Sequence, residues 1–132
     1  MSAAYVDSSC LVAVLLGEPA GVPVGETLGR HDRLFASNLL DAEVSSAARR
    51  ERIALLRPGV FQDLLWVLPG RSLAAEIDTA LAAGYLRGAD LWHVASALYL
   101  RADIPELEFL TLDRTQDQVA AALGFPTPLL VK

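Results

Sequence analysis

The chain has almost no cysteine: Cys10 stands alone, which excludes an internal disulfide and a cluster of thiolate metal ligands. It also lacks a long apolar run. The longest, Cys10 to Leu16, covers seven residues, against roughly eighteen for a membrane-crossing helix. The opening MSAAYVDSS has no basic stretch and meets Asp7 before any apolar segment begins, so it does not read as a secretory signal. These absences lead us to expect a cytoplasmic protein with no membrane partner.

Positive charge is short as well. Eleven Lys and Arg against sixteen Asp and Glu give a formal net charge of −5, the wrong sign for a broad basic face that grips nucleic acid. Lysine is nearly missing, Lys132 being the one in the chain. Any phosphate chemistry here would need a cation. No stretch repeats with a period of about 20 to 50 residues, and no Ser, Gln or Pro tract suggests a linker. Residues 1–132 therefore read as one domain, and 53% hydrophobic with 20% charged residues is the composition of a chain that folds around a core.

Short apolar strands alternate with longer helices. Ala3 to Asp7 reads as a buried strand, with Ser8 or Ser9 capping a helix that carries Leu11, Val12, Leu15 and Leu16 and stops near Gly17 and Pro19. A second helix is expected over about Val22 to His31. A strand at Leu34 to Ser37 follows, with Asn38 as the cap of a helix through Arg52. Pro58 suits the first turn of a further helix, and Trp66 to Leu68 a short strand. Helices from Ser72 towards Gly84 and from Ala89 to Ala102 precede a strand at Phe109 to Leu112. A helix over Arg114 to Leu123 and a last strand at Pro128 to Val131 complete the pattern. This is the signature of an α/β fold in three layers, a short parallel sheet flanked by helices.

Four acids stand out against that frame. Asp7 and Asp113 each close a strand, so a parallel sheet would bring both to the edge where such folds bind ligands. Each has a plain explanation on its own: Asp113 and Gln116 have the spacing of a capping box, and Asp7 fits a strand-to-helix turn. Glu43 lies four residues after Leu39 and four before Ala47, on the apolar face of its helix. Asp90 repeats this with Leu86 and Val94. A carboxylate so placed needs a partner. Arg87 and His93, three residues to either side of Asp90, and arginines near Glu43 offer one reading, a set of structural ion pairs. A single divalent-metal site that draws all four acids together is the other.

The segments YVDSSCLVAVLLGE, SNLLDAEV, RGADLWHVASALYL and FLTLDRTQ resemble the four acidic motifs of the PIN domain, in the order and spacing of the VapC-type toxins. The resemblance spans essentially the whole chain. It implies a Mg²⁺- or Mn²⁺-dependent ribonuclease of a toxin–antitoxin pair, a homodimer inhibited by a VapB-like antitoxin. Carried over by position, the metal-binding and catalytic acids are Asp7, Glu43, Asp90 and Asp113. Ser9 matches a supporting hydroxyl, and Asp117, one turn after Asp113, is a candidate auxiliary acid. Asp41 and Trp92 depart from the family pattern and bear on substrate preference.

The chemistry so implied is hydrolysis of an RNA phosphodiester by a metal-activated water. Asp7 and Asp113 are expected as direct ligands, with Glu43 and Asp90 completing the cluster. His93 reads as a packed helix residue rather than a base, and Cys10 as a core thiol. Arg49, Arg50 and Arg52 fit either the carboxyl end of a helix or RNA contact. Two rival readings remain. One is a phosphotransferase with Asp7 as nucleophile, which the usual pattern would pair with an acid where this chain has Ser9. The other is a non-catalytic PIN-like module that binds RNA or protein.

Overall fold

A computed structural model describes residues 2–131; Met1 and Lys132, the ends of the expected domain, lie outside the described residues. Four parallel strands form one sheet in the order β3-β2-β1-β4: β1 (Ala3–Val6), β2 (Arg33–Ser37), β3 (Leu64–Val67) and β4 (Glu108–Leu110). Seven helices occur among the described residues. They are α1 (Ser8–Leu15), α2 (Gly21–Gly29), α3 (Leu39–Arg50), α4 (Arg57–Phe61), α5 (Ala74–Ala83), α6 (Gly88–Arg101) and α7 (Arg114–Ala122).

The central strand explains the layering. All four residues of β1 are buried, and they alternate between two cores. Ala3 and Tyr5 pack with Phe109, Val94, Ala97, Val119 and Phe125 beneath α6 and α7. Ala4 and Val6 face the opposite side with Cys10, Val24 and Leu110. Leu11, Leu40, Val44 and Leu64 extend that second layer. A strand covered on both faces has to be apolar throughout, as AAYV is. The three-layer α/β/α expectation is met.

Close packing of α2 on α1 depends on a missing side chain. A Cβ at Gly21 would stand 2.7 Å from the Ala13 carbonyl oxygen, so no larger residue fits without moving a helix. Gly17, at φ +65°, supplies the left-handed turn that ends α1. At the end of α2, His31 joins this helix to β4, with Nδ1 2.8 Å from the Thr27 carbonyl and Nε2 2.8 Å from Glu108 Oε1.

Several boundaries differ from the sequence expectations. Asp7, not Ser8 or Ser9, caps α1. β3 begins two residues earlier than expected because Leu64 and Val67 are the residues it buries, while Leu65 and Trp66 are exposed. β4 stops at Leu110 instead of Leu112: beyond it the backbone N–H groups of Leu112 and Asp113 go to side chains, to Ser9 Oγ at 3.0 Å and to Thr111 Oγ1 at 3.0 Å. Residues 128–131 form no strand. Pro126 and Pro128 have no N–H to contribute to a ladder, and one bond, from Phe109 N–H to the Pro126 carbonyl, ties this segment to the sheet. No described helix is long and apolar enough to cross a membrane.

Candidate functional site

The strand order reverses between β1 and β4, because β2 and β3 extend the sheet to one side of β1 and β4 lies on the other. In parallel sheets such a point opens a crevice beyond the carboxyl ends of the two strands. Asp7 follows β1 directly and is 3% exposed. Its Oδ2 accepts from Ser9 N–H at 3.2 Å and caps α1. Asp113 caps α7 in the same way, with Oδ1 accepting from Gln116 N–H at 2.7 Å. Both carboxylates therefore sit against the positive end of a helix, which favours their charge.

A small polar network holds these two acids together. Thr111 Oγ1 lies 3.2 Å from Asp7 Oδ2 and 2.7 Å from Gln116 Oε1. Gln116 is fully buried and donates from Nε2 to the Asp90 carbonyl oxygen at 3.1 Å. The Gln116 side chain does not reach back to the Asp113 N–H, so the expected capping box is only half formed; Thr111 takes that N–H instead. Ser9 bridges α1 and the segment after β4, its Oγ also 3.4 Å from Thr111 Oγ1.

Glu43 enters from α3 and Asp90 from the first turn of α6, both half-buried. Burial raises the Asp90 carboxyl above its ordinary range, and the charges of Asp7, Asp113 and Glu43 raise it further, with His93 opposing. Asp90 thus feels the charge of the three other acids. Glu43 shifts the other way: burial alone would raise it, but hydrogen bonding and charge from His93, with help from Ser8, outweigh burial and lower it. Two carboxyls pushed in opposite directions within one crevice are the mark of an organised acidic site.

The ion pairs considered for these acids do not form among the described residues. Arginines pair elsewhere, Arg57 with Asp41, Arg71 with Glu76, Arg33 with Glu106 and Arg50 with Glu51. His93 does not serve Asp90 either. It is fully buried, and its Nε2 lies 2.6 Å from Glu43 Oε1 and 3.6 Å from Asp7 Oδ1. Its Nδ1 is 2.7 Å from Tyr5 Oη. Beside these groups is a cavity of about 130 Å³ lined by Tyr85, Arg87, Asp90, Asp113 and Thr115.

Sequence reasoning offered the four acids, Ser9 and Asp117 as candidates; it gave no role to Tyr5 or Thr111, read Gln116 only as a cap partner of Asp113, and read His93 as a packed helix residue or a partner of Asp90. A polar residue inside an apolar strand or helix face was the signal, as in FLTL and WHVASA. Asp117 is buried on α7, with its N–H on the Asp113 carbonyl. Arg49 and Arg50 occupy the last turn of α3, where they complement its dipole, and Arg52 follows at φ +56°.

The donor set suits a hard divalent cation: carboxylate oxygens at a crevice, one of them destabilised by its neighbours' charges. Among the described residues no three acidic, histidine or cysteine side chains approach closely enough to form a finished cage.

No curated protein and no solved structure matches this chain. The family model described as PIN domain matches residues 4–122. PIN domains are in general metal-dependent nucleases that act on RNA. With its parallel sheet and with Asp7 and Asp113 following the two strands at the order reversal, the chain belongs to the PIN domain family.

Proposed function

We propose that this chain is a divalent-metal-dependent ribonuclease of the VapC toxin type, with Asp7, Glu43, Asp90 and Asp113 holding Mg²⁺ or Mn²⁺. The observation that carries the reading is the Asp90 carboxyl, raised first by burial and then by the charges of three other acids, with no arginine ion pair to it among the described residues. A cation offsets such repulsion, and an isolated structural acid has no need of one.

When bound, the metal supplies Lewis acidity that activates a water for in-line attack and offsets charge on the phosphodiester in the transition state. The chain's own part is positioning. The helix caps fix Asp7 and Asp113, and Gln116 ties the start of α6, and with it Asp90, to the same frame. Arg87 and Thr115 line the cavity beside Asp90 and Asp113, where they can meet phosphate oxygens. A sparse set of local cations is what a chain of net charge −5 can offer an RNA backbone.

The toxin assignment, a VapB-like antitoxin as inhibitor and a homodimer rest on the order and spacing of the four motifs, and action in the cytoplasm as a single 1–132 domain rests on composition and patterning. Cleavage of total cellular RNA with Mg²⁺ or Mn²⁺, its loss in EDTA and its loss in Asp7→Asn and Asp90→Asn test the chemistry. Cleavage that survives EDTA, or either substitution, removes the metal assignment. Growth arrest that persists in Asp7→Ala would instead favour a non-catalytic module that occludes RNA. Co-purification with the product of a neighbouring short reading frame tests the antitoxin.

A further inference from the structure

His93 joins the acidic site to the centre of the sheet through a directed chain of hydrogen bonds. The backbone N–H of Ser37, at the end of β2, donates to Tyr5 Oη at 3.1 Å. Tyr5 is fully buried on β1, and its phenol has one proton to give. Having accepted from Ser37, the phenol donates that proton to His93 Nδ1, 2.7 Å away. With Nδ1 accepting, the ring proton belongs on Nε2. The groups Nε2 meets are carboxylate oxygens, Glu43 Oε1 at 2.6 Å and Asp7 Oδ1 at 3.6 Å.

We infer that His93 is a positioning residue for the acidic site: the Ser37–Tyr5 chain fixes its tautomer, and its Nε2–H clamps Glu43 Oε1 beside Asp7, leaving Glu43 Oε2 to face a cation or its water. The inference rests on the reading of Glu43 and Asp7 as metal-site acids. Glu43 needs such a clamp more than Asp7 does. Asp7 is held by a helix cap and by Thr111, whereas Glu43 is a half-buried side chain on α3 with three rotatable bonds and no cap to make, its other side-chain partner being Ser8. Groups that orient a metal ligand in this way commonly change affinity by roughly 10–100-fold when removed.

Two readouts test it, neither of them catalytic. Long-range ¹H–¹⁵N NMR on the metal-free protein is expected to show His93 as the Nε2–H tautomer, and that signature is expected to weaken in Tyr5→Phe. A His93 proton resident on Nδ1 overturns the inference. Mn²⁺ affinity by calorimetry is expected to fall roughly 10–100-fold in His93→Leu. His93→Gln, whose amide can accept from Tyr5 and donate to Glu43, is expected to restore most of it. Should His93→Leu not fold, His93→Gln and the tautomer signal decide, because neither empties the position. A folded His93→Leu protein that binds Mn²⁺ like the wild type overturns the clamp alone. Wild-type protein that binds no Mn²⁺ overturns the metal reading and the clamp with it.

Discussion

Replacing Tyr5 by Phe removes one oxygen from the most buried strand and nothing else. The ring keeps its place, stacked on Phe109 with centroids 5.5 Å apart and planes 10° from parallel. Two partners lose theirs: the Ser37 N–H, which donates to Tyr5 Oη at 3.1 Å, and His93 Nδ1, at 2.7 Å. Both sit in fully or almost fully buried residues, so water does not readily replace the oxygen. Each buried group left unsatisfied costs about 1–3 kcal/mol, partly offset because the phenol no longer has to be desolvated. The expected loss is about 2–4 kcal/mol, a large share of the roughly 5–15 kcal/mol that holds a domain together. Urea unfolding followed by far-UV circular dichroism measures it as a lower midpoint at unchanged slope. Tyr85→Phe, at a position 78% exposed, is the control and should stay within about 0.5 kcal/mol. A Tyr5→Phe loss no larger than the control would refute the hydrogen-bond chain on which the placement of His93 depends.

Asp90 offers a test with the opposite sign. Its carboxyl is raised, so the fold favours the protonated form: the stabilisation this group gives is present below its ordinary value of 3.8 and is lost as pH rises through the elevated folded value. Asp90→Asn mimics the protonated form, so the metal-free variant should melt slightly higher than wild type at neutral pH, and a lower melting point contradicts the mutual repulsion. Glu43 is lowered from 4.5, so its contribution is present at neutral pH and is lost as pH falls through its folded value; Glu43→Gln should flatten that acid limb in a pH series of melting curves. Added Mn²⁺ should raise the wild-type melting temperature, by the equivalent of about 2.7 kcal/mol at a hundredfold excess over its dissociation constant. EDTA should reverse the rise, and acidification should shrink it as the carboxylates take up protons. Gly21→Ala places a methyl group 2.7 Å from the Ala13 carbonyl and should cost about 1–3 kcal/mol in a urea titration, whereas Gly25→Ala, in open space, should not.

The acids were legible in the sequence because a carboxylate on an apolar helix face, or directly after an apolar strand, violates a simple pattern. Glu43 and Asp90 show the first violation, Asp7 and Asp113 the second. What satisfies them was not legible, because it comes from residues far apart in the chain. His93 and Tyr5 are separated by 88 positions, and the end of β4 is decided by Ser9, 103 positions from the N–H it accepts. Helical proximity pointed His93 towards Asp90, three residues away, but the side chain reaches across the layer to Glu43 and Asp7. The expected strand at residues 128–131 failed for a local reason that Pro126 and Pro128 already announced: proline cannot donate to a neighbouring strand.

Gln116 carries a consequence for how the acids respond to their surroundings. Its amide joins the Thr111 hydroxyl to the main chain at Asp90, and an amide has no charge to gain or lose at any pH the protein will meet. That tie between α6 and α7 is indifferent to protons, unlike the two carboxylate caps and the His93–Glu43 contact around it. As pH falls, the segment carrying Asp90 therefore keeps its link to α7 while the charges nearby are lost.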